Sequence, residues 1–326
     1  MSPRPSEDEL IARIFAPFAG PAGLGLRDDV ALLTPPPGED LVLTTDALVA
    51  GVHFFADDPP DSIARKALRV NLSDLAAKGA RPLGFLLALA LPRDWREDWL
   101  KAFAAGLAAD ASVYDCPLAG GDTVATPGPL TLSVTAFGAV PSGRMALRSG
   151  VRAGDRLYVT GTVGDAAIGL RLRMGRGPEI PHAERDFLID RYLTPQPRLA
   201  LAKAMRAHAQ AGMDISDGFV GDLTKMLAVS GVCARVPIYR LPLSPAARAA
   251  ISVNPDLFAV AATGGDDYEL LASVAPGSAR AFETEAAAAG VPVTFVGEAV
   301  EGDGPPRFIG PDGGPVTFAR GSFSHF

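Results

Sequence analysis

A mixed α+β first half followed by a strand–helix sandwich is the fold class that this sequence predicts. Three observations carry it. At 326 residues the chain is too long for one ordinary core and suits two domains. Apolar runs of strand length are interspersed with helical periodicities in both halves. A stretch of turn chemistry, RSGVRAGDR at 148–156, divides the chain, so the domains are drawn as residues 1–147 and 148–326.

The elements follow in order. Residues 7–18 (EDELIARIFAPF) space their apolar side chains for a short helix. Leu41–Leu43 starts a strand, and LTTDALVAGVHFF (43–55) reads as a buried strand with its exit loop. Ser62–Lys78 is a helix: Asp61 or Ser62 caps it, Ile63, Ala67, Val70 and Leu75 form its apolar stripe, and Gly79 stops it. Phe85–Leu91 reads as a fully buried strand closed by Pro92, residues 95–111 as a helix, and Leu130–Phe137 alternates like a strand. Beyond the divide come a strand (Leu157–Thr160), a GTVGD turn, and a helix from Ala166. Pro197–Gln210 is helical, Met213–Ile215 is a short strand and Phe219–Ser230 a helix. Arg235–Tyr239 and Tyr268–Val274 read as strands, with a helix at 278–289 and a strand at 291–296. The Pro- and Gly-rich pieces at 35–38 and 302–314 are expected to be surface loops.

Composition narrows the function. The apolar content of 48% and charged content of 21% suit a soluble globular protein, and the net charge of −7 provides no global basic field for nucleic acid. The polar, acidic start MSPRPSEDEL has no signal-peptide order, and the longest apolar run, Phe85–Leu91, is far below the ~20 residues of a membrane helix. Cys116 and Cys233 lack CxxC spacing and read as free core thiols, so a cytoplasmic protein is expected.

The carboxylates are the informative residues. Aspartate outnumbers glutamate 26 to 11, and many aspartates sit beside glycine at the ends of apolar runs. Asp28-Asp29, Asp46, Asp74, Gly121-Asp122, Asp214 with Asp217, and Gly265-Asp266 recur in that setting. Singly, each has a plain explanation: a solvated turn for Asp28-Asp29, a wet helix face for Asp74, a helix cap for Asp214, Ser216 or Asp217. Together they suit metal–phosphate chemistry. Glycine allows close backbone approach to phosphate, and Mg²⁺ takes oxygen ligands and shares its shell with water and substrate phosphates. None of the five lysines follows a glycine, so there is no P-loop, and GxGxxG, HExxH, GxSxG and the kinase HRD and DFG pairs are missing.

In order and spacing, GLRDDVALL, LTTDALVAGVHF, NLSDLAAKGARP, LAGGDTV, RSG, YVTGTVGD, DISDG and GGDDYEL resemble the thiamine-monophosphate kinases of the aminoimidazole ribonucleotide synthetase-like superfamily. The resemblance runs from about residue 8 to the terminal SFSHF. It implies an α+β N-terminal domain that binds metal and ATP and dimerises through its sheet. It also implies an α/β C-terminal domain that completes the nucleotide and substrate site. The implied activity is phosphorylation of thiamine monophosphate to thiamine diphosphate with ATP and several Mg²⁺ ions.

Carried over by motif, Asp29, Thr44, Thr45, Asp46, Asp74, Asp122, Asp214 and Asp217 are expected around the metals. Gly121, Asp122, Arg148 and Ser216 are expected at the nucleotide, and His53, Asp266 and Phe323 at the thiamine substrate. Two departures stand out: Arg27 replaces the usual glycine before Asp28-Asp29, and Asp266 stands where many members have Glu. No general base is assigned, because the acceptor phosphate is already anionic and direct in-line transfer needs none. Two other readings remain open: another ATP-using member of the superfamily, and a nucleotide-binding regulatory protein without turnover. The two cysteines lie mid-chain, which counts against selenophosphate synthetase.

Overall fold

A computed structural model describes residues 6–323, which separate into two units: the chain up to Leu75 with Arg81–Gly143, and Ala76–Ala80 with Arg144 onward. Mixed strands and helices build both, as the sequence predicts.

In the first unit the helix expected over 7–18 is broken into pieces. α1 (Glu7–Leu10) is followed by a wide turn at Ile11–Phe15 and a tight one at Ala16–Phe18, where Pro17 lacks the N–H a continuing helix needs. Then come β1 (Glu39–Val49), α2 (Pro60–Ala77), β2 (Arg81–Pro92), α3 (Glu97–Val113), β3 (Leu118–Thr126) and β4 (Thr131–Pro141). The strands form one sheet in the order β1-β4-β2-β3, antiparallel except for the parallel pair β2–β3.

Register separates the two faces of this sheet. Val42, Leu48, Phe85, Leu87, Leu89, Leu132, Val134 and Ala136 are buried on one face, and Ile63, Leu68, Leu72, Leu100, Phe103 and Leu107 of α2 and α3 are buried with them in this unit. Leu41, Leu43, Leu86 and Val124 share the opposite face and are exposed. Two expectations are corrected here. β1 is a half-exposed edge strand rather than a buried one, and β2 buries alternate residues rather than all of them, because helices cover only one side. β3 was not expected as a strand: Gly120, Gly121 and Asp122 are poor strand formers, and pairing with β2 overrides their preference.

A buried ion cluster ties α2 to α3. Asp110 is fully buried and takes Arg69 Nε at 2.5 Å, Arg69 Nη2 at 3.0 Å and Arg65 Nη1 at 2.9 Å, while the Arg69 guanidinium lies over the Tyr114 ring.

The second unit contains β5 (Arg156–Thr160), α4 (Asp165–Arg173), α5 (His182–Leu193), α6 (Ala202–His208), β6 (Ala209–Ile215), α7 (Phe219–Ser230) and β7 (Cys233–Pro237). It continues with α8 (Pro245–Val253), α9 (Leu257–Thr263), β8 (Glu269–Val274), α10 (Ala279–Ala288), β9 (Val293–Val300), β10 (Arg307–Ile309) and β11 (Pro315–Val316). The sheet order is β11-β10-β7-β9-β5-β8-β6.

Alternation along β5 and β8 divides the core between two faces. Leu157, Val159 and Leu271 pack with Phe219, Leu223 and Met226 of α7, whereas Tyr158, Leu270 and Ala272 pack with Met205 of α6 and Phe282 of α10. A separate helical cluster joins α4, α5, α8 and α9 through Ile168, Leu172, Leu188, Ala250 and Ala261. The sequence reading missed α5, α8 and α9, and the loop expected at 302–314 contains β10.

Candidate active site

Thr44, Thr45 and Asp46 sit in β1, and the pleat sends their oxygens to both faces. Thr44 Oγ1 donates to Asp74 Oδ2 of α2 at 2.5 Å. Thr45 points the other way: its Oγ1 donates to the Val134 carbonyl at 3.2 Å and lies 3.0 Å from Thr135 Oγ1 and 3.4 Å from Ser133 Oγ. Ser133 Oγ in turn donates to the Asp46 carbonyl at 3.0 Å. Asp46 is half-buried.

On the open face of this sheet lies a cleft of about 640 Å³, a size suited to a nucleotide-sized ligand. Leu86, Ala88, Gly120, Asp122, Ser133 and Thr135 line it from the strands, with Phe15, Leu26, Asp28 and Asp29 from the N-terminal segment. The structure therefore brings Asp29, Gly121 and Asp122 together and places Thr44 with Asp74. Gly121 has a steric reason to be glycine, because a Cβ there would collide with the Leu87 carbonyl of the paired strand. The hydroxyls of Ser133 and Thr135 were missed from sequence. The signal was available, since both alternate with buried Leu132 and Val134.

His53 lies in the turn after β1. Its Nδ1 accepts the Val49 N–H at 3.0 Å, so the ring proton of the neutral form sits on Nε2, and Lys66 Nζ donates to the His53 carbonyl at 3.1 Å.

In the second unit, DISDG closes β6 and opens α7. Asp214 is buried at the strand end, and Ser216 and Asp217 are half-buried. None of the three caps the helix, contrary to the sequence reading. Asp222 does so by reaching back, its Oδ2 accepting the N–H groups of Asp217 at 2.9 Å and Gly218 at 3.1 Å. Lys225 Nζ then meets Asp217 Oδ2 at 2.5 Å and Asp222 Oδ1 at 2.9 Å. Burial raises the Asp222 carboxyl above its ordinary range, against the lowering effect of these bonds.

Residues 264–268 bind back onto this turn. Asp266 and Tyr268 both hold positive φ (73° and 51°), which costs energy in non-glycine residues. Their N–H groups donate to the carbonyls of Ser216 and Ile215, each at 2.9 Å. Between them Asp267 turns inward and accepts the Gly164 N–H at 2.7 Å and the Ala166 N–H at 3.4 Å, at the start of α4. Of the remaining expected contacts, Arg148 is exposed, and Phe323 is exposed with its N–H on the Asp217 carbonyl at 3.0 Å.

Burial pushes the Asp267 carboxyl well above its ordinary value of 3.8, and the charges of Asp165 and Glu269 act in the same direction. A raised carboxyl stabilises the fold below its unfolded pKa, and that stabilisation is lost as pH rises through the folded value. Asp267→Asn has no such loss. Urea unfolding at about pH 5 and about pH 8 should show the stability difference moving in favour of the variant as pH rises. A difference independent of pH would contradict the burial of a titrating acid here.

The donors suit a hard divalent cation. Every candidate ligand is a carboxylate or hydroxyl oxygen, and Asp217 already faces a cation, the Lys225 ammonium. Among the described residues no three His, Cys, Asp or Glu side chains converge on one point. The thiols have no such role: both are free and buried, and burial pushes Cys116 up to about 12. No helix among the described residues is long and apolar enough to cross a membrane.

The chain matches two family models: AIR synthase related protein, N-terminal domain, over residues 27–140, and AIR synthase related protein, C-terminal domain, over residues 152–308. It is 45% identical to the thiamine-monophosphate kinase of Caulobacter vibrioides, across 98% of this chain and 91% of that one. The crystal structure of thiamine-monophosphate kinase from Stenotrophomonas maltophilia superposes with a TM-score of 0.81 at 41% identity, covering 89% of this chain and 91% of the other. AaThiL complexed with AMPPCP and TMP superposes with a TM-score of 0.79 at 31% identity, covering 90% and 89%.

Proposed function

The chain belongs to the AIR synthase related family and, within it, to the thiamine-monophosphate kinases; from that premise we propose that it transfers the γ-phosphoryl group of ATP to the phosphate of thiamine monophosphate, giving thiamine diphosphate and ADP. The relative complexed with AMPPCP and TMP supports both substrates. The observation that best supports the residue assignments is the cleft that gathers Asp29, Gly121 and Asp122 on the open face of the first sheet.

Asp29, Thr44, Thr45, Asp46, Asp74 and Asp122 of the first unit, and Asp214 and Asp217 of the second, would hold several Mg²⁺ ions. Bound Mg²⁺ supplies neutralisation of the two anionic phosphates that must approach one another. Gly121 offers backbone without side-chain bulk to the nucleotide, and Arg148 and Ser216 add a cation and a hydroxyl. The Nε2–H of His53 is suited to donate to the substrate. The carboxylate of Asp266 suits the cationic thiazolium, and the Phe323 ring offers it an apolar face.

The second pKa of a phosphate monoester is about 6, so the attacking oxygen is anionic near neutral pH and positioning replaces a general base. Each domain would then carry part of this work: residues 1–147 the metals and ATP, residues 148–326 the rest of the nucleotide and substrate contacts.

A homodimer through the first sheet is part of the reading, supported by Leu41, Leu43 and Val124, which are exposed on the open face outside the cleft lining. Free thiols and the need for ATP favour the cytoplasm. The test is chromatography of thiamine diphosphate after mixing the protein with ATP, Mg²⁺ and thiamine monophosphate, with free thiamine in parallel. Product from the monophosphate alone, abolished by EDTA, is expected. Product from free thiamine, or none from a folded, ATP-binding protein, would turn the reading to another superfamily activity or a binding role.

A further inference from the structure

Lys225 takes no part in the chemistry described so far, yet it makes the tightest ion pair of the DISDG turn. It belongs to the second turn of the twelve-residue helix α7, and its side chain carries the ammonium back to the helix start. A helix N-terminus is the positive end of the dipole, so a cation is disfavoured there unless anions hold it. Two do. Asp222 is 1% exposed and also bonded to two backbone N–H groups, so it is fixed in place. Asp217 is 38% exposed and Lys225 41%, so that half of the bridge is open to solvent and the lysine stem can swing out.

We propose that Lys225 is a positioning residue that stands in for a divalent cation at Asp217, holding its carboxylate in place when the metal is absent and yielding that contact when metal binds. The proposal rests on the reading of Asp217 as a metal ligand. The ammonium keeps Asp217 and the buried Asp222 from repelling one another in the metal-free chain. The same ammonium must be displaced from Asp217 before a doubly charged ion can take its oxygen. Metal affinity at this turn is therefore set lower, and the turn kept better ordered, than the carboxylates alone would give.

Equilibrium dialysis of the full chain with Mn²⁺ alone tests this, beside thermal melting with and without Mn²⁺. A partly exposed ion pair is worth up to about 1 kcal/mol, so Lys225→Met should tighten Mn²⁺ binding roughly five-fold. The same variant should melt lower without metal and show a larger rise on adding Mn²⁺. Lys225→Arg, which keeps the charge, should retain wild-type affinity. Lys225→Gln serves in place of Met if the apolar variant does not fold. Asp217→Asn is the control for the underlying reading and should weaken Mn²⁺ binding.

If Asp217→Asn weakens binding while Lys225→Met and Lys225→Gln bind no tighter than wild type, the stand-in role is overturned alone. If Asp217→Asn binds Mn²⁺ as wild type does, the metal reading of Asp217 falls and the proposal with it. A gain in affinity is the discriminating sign, because a lysine that merely braced the helix would lose affinity when removed.

Discussion

Asp122→Asn is expected to leave the protein folded and to lower kcat with thiamine monophosphate by about 10²- to 10³-fold, the usual cost of losing one preorganised electrostatic contact to a transition state. Asp122 pairs through its backbone with Ala88 of β2, and its exposed side chain lines the cleft. Replacing one carboxylate oxygen by an amide keeps shape and removes charge. The melting temperature should stay close to that of wild type, since surface changes of this kind usually shift stability by no more than about 0.5 kcal/mol. A near-normal turnover in this variant would remove Asp122 from the metal and nucleotide assignments.

Asp110→Ala is expected to produce the largest loss of stability, about 3–5 kcal/mol, because it breaks a buried pair and leaves charge behind. Asp110 has no exposed surface and accepts three guanidinium bonds, two of them from Arg69, itself 8% exposed. Removing the carboxylate takes away both of these Arg69 bonds and the Arg65 bond at once. Urea unfolding gives the number directly. A loss below about 1 kcal/mol would mean that water reaches the cluster and that it behaves as a surface pair.

The site was legible in sequence where chemistry depends on residue type and adjacency. Glycine before Asp122 reads as room for a ligand's phosphate, whereas the structure gives a reason within the sheet, the Leu87 carbonyl of the paired strand. What adjacency does not encode is the face. Thr44 and Thr45 look equivalent in the motif, yet one bonds Asp74 and the other reaches β4, because successive strand residues point oppositely. Asp222 and Lys225 escaped notice for a related reason. Their partner Asp217 precedes the helix, so the spacing of eight residues to Lys225 belongs to no helical pattern.

The fold was legible where periodicity was strong, as in α2 and α7. It failed where tertiary pairing decides, as in glycine-rich β3, and where little is buried, as in α5, whose only buried residues are Leu188 and Tyr192. The run Phe85–Leu91 is instructive: its continuous apolar character suggested burial on both faces, whereas the structure leaves Leu86 exposed.

The central claim, transfer of the γ-phosphoryl group of ATP to thiamine monophosphate, is tested most directly by isotope position. ATP labelled with ¹⁸O in the non-bridging oxygens of its γ-phosphoryl group would be turned over with unlabelled thiamine monophosphate and Mg²⁺, and the products weighed by mass spectrometry. The account predicts that all the label appears in the terminal phosphoryl of thiamine diphosphate and none in ADP. Label released as inorganic phosphate, with no labelled thiamine diphosphate, would contradict it.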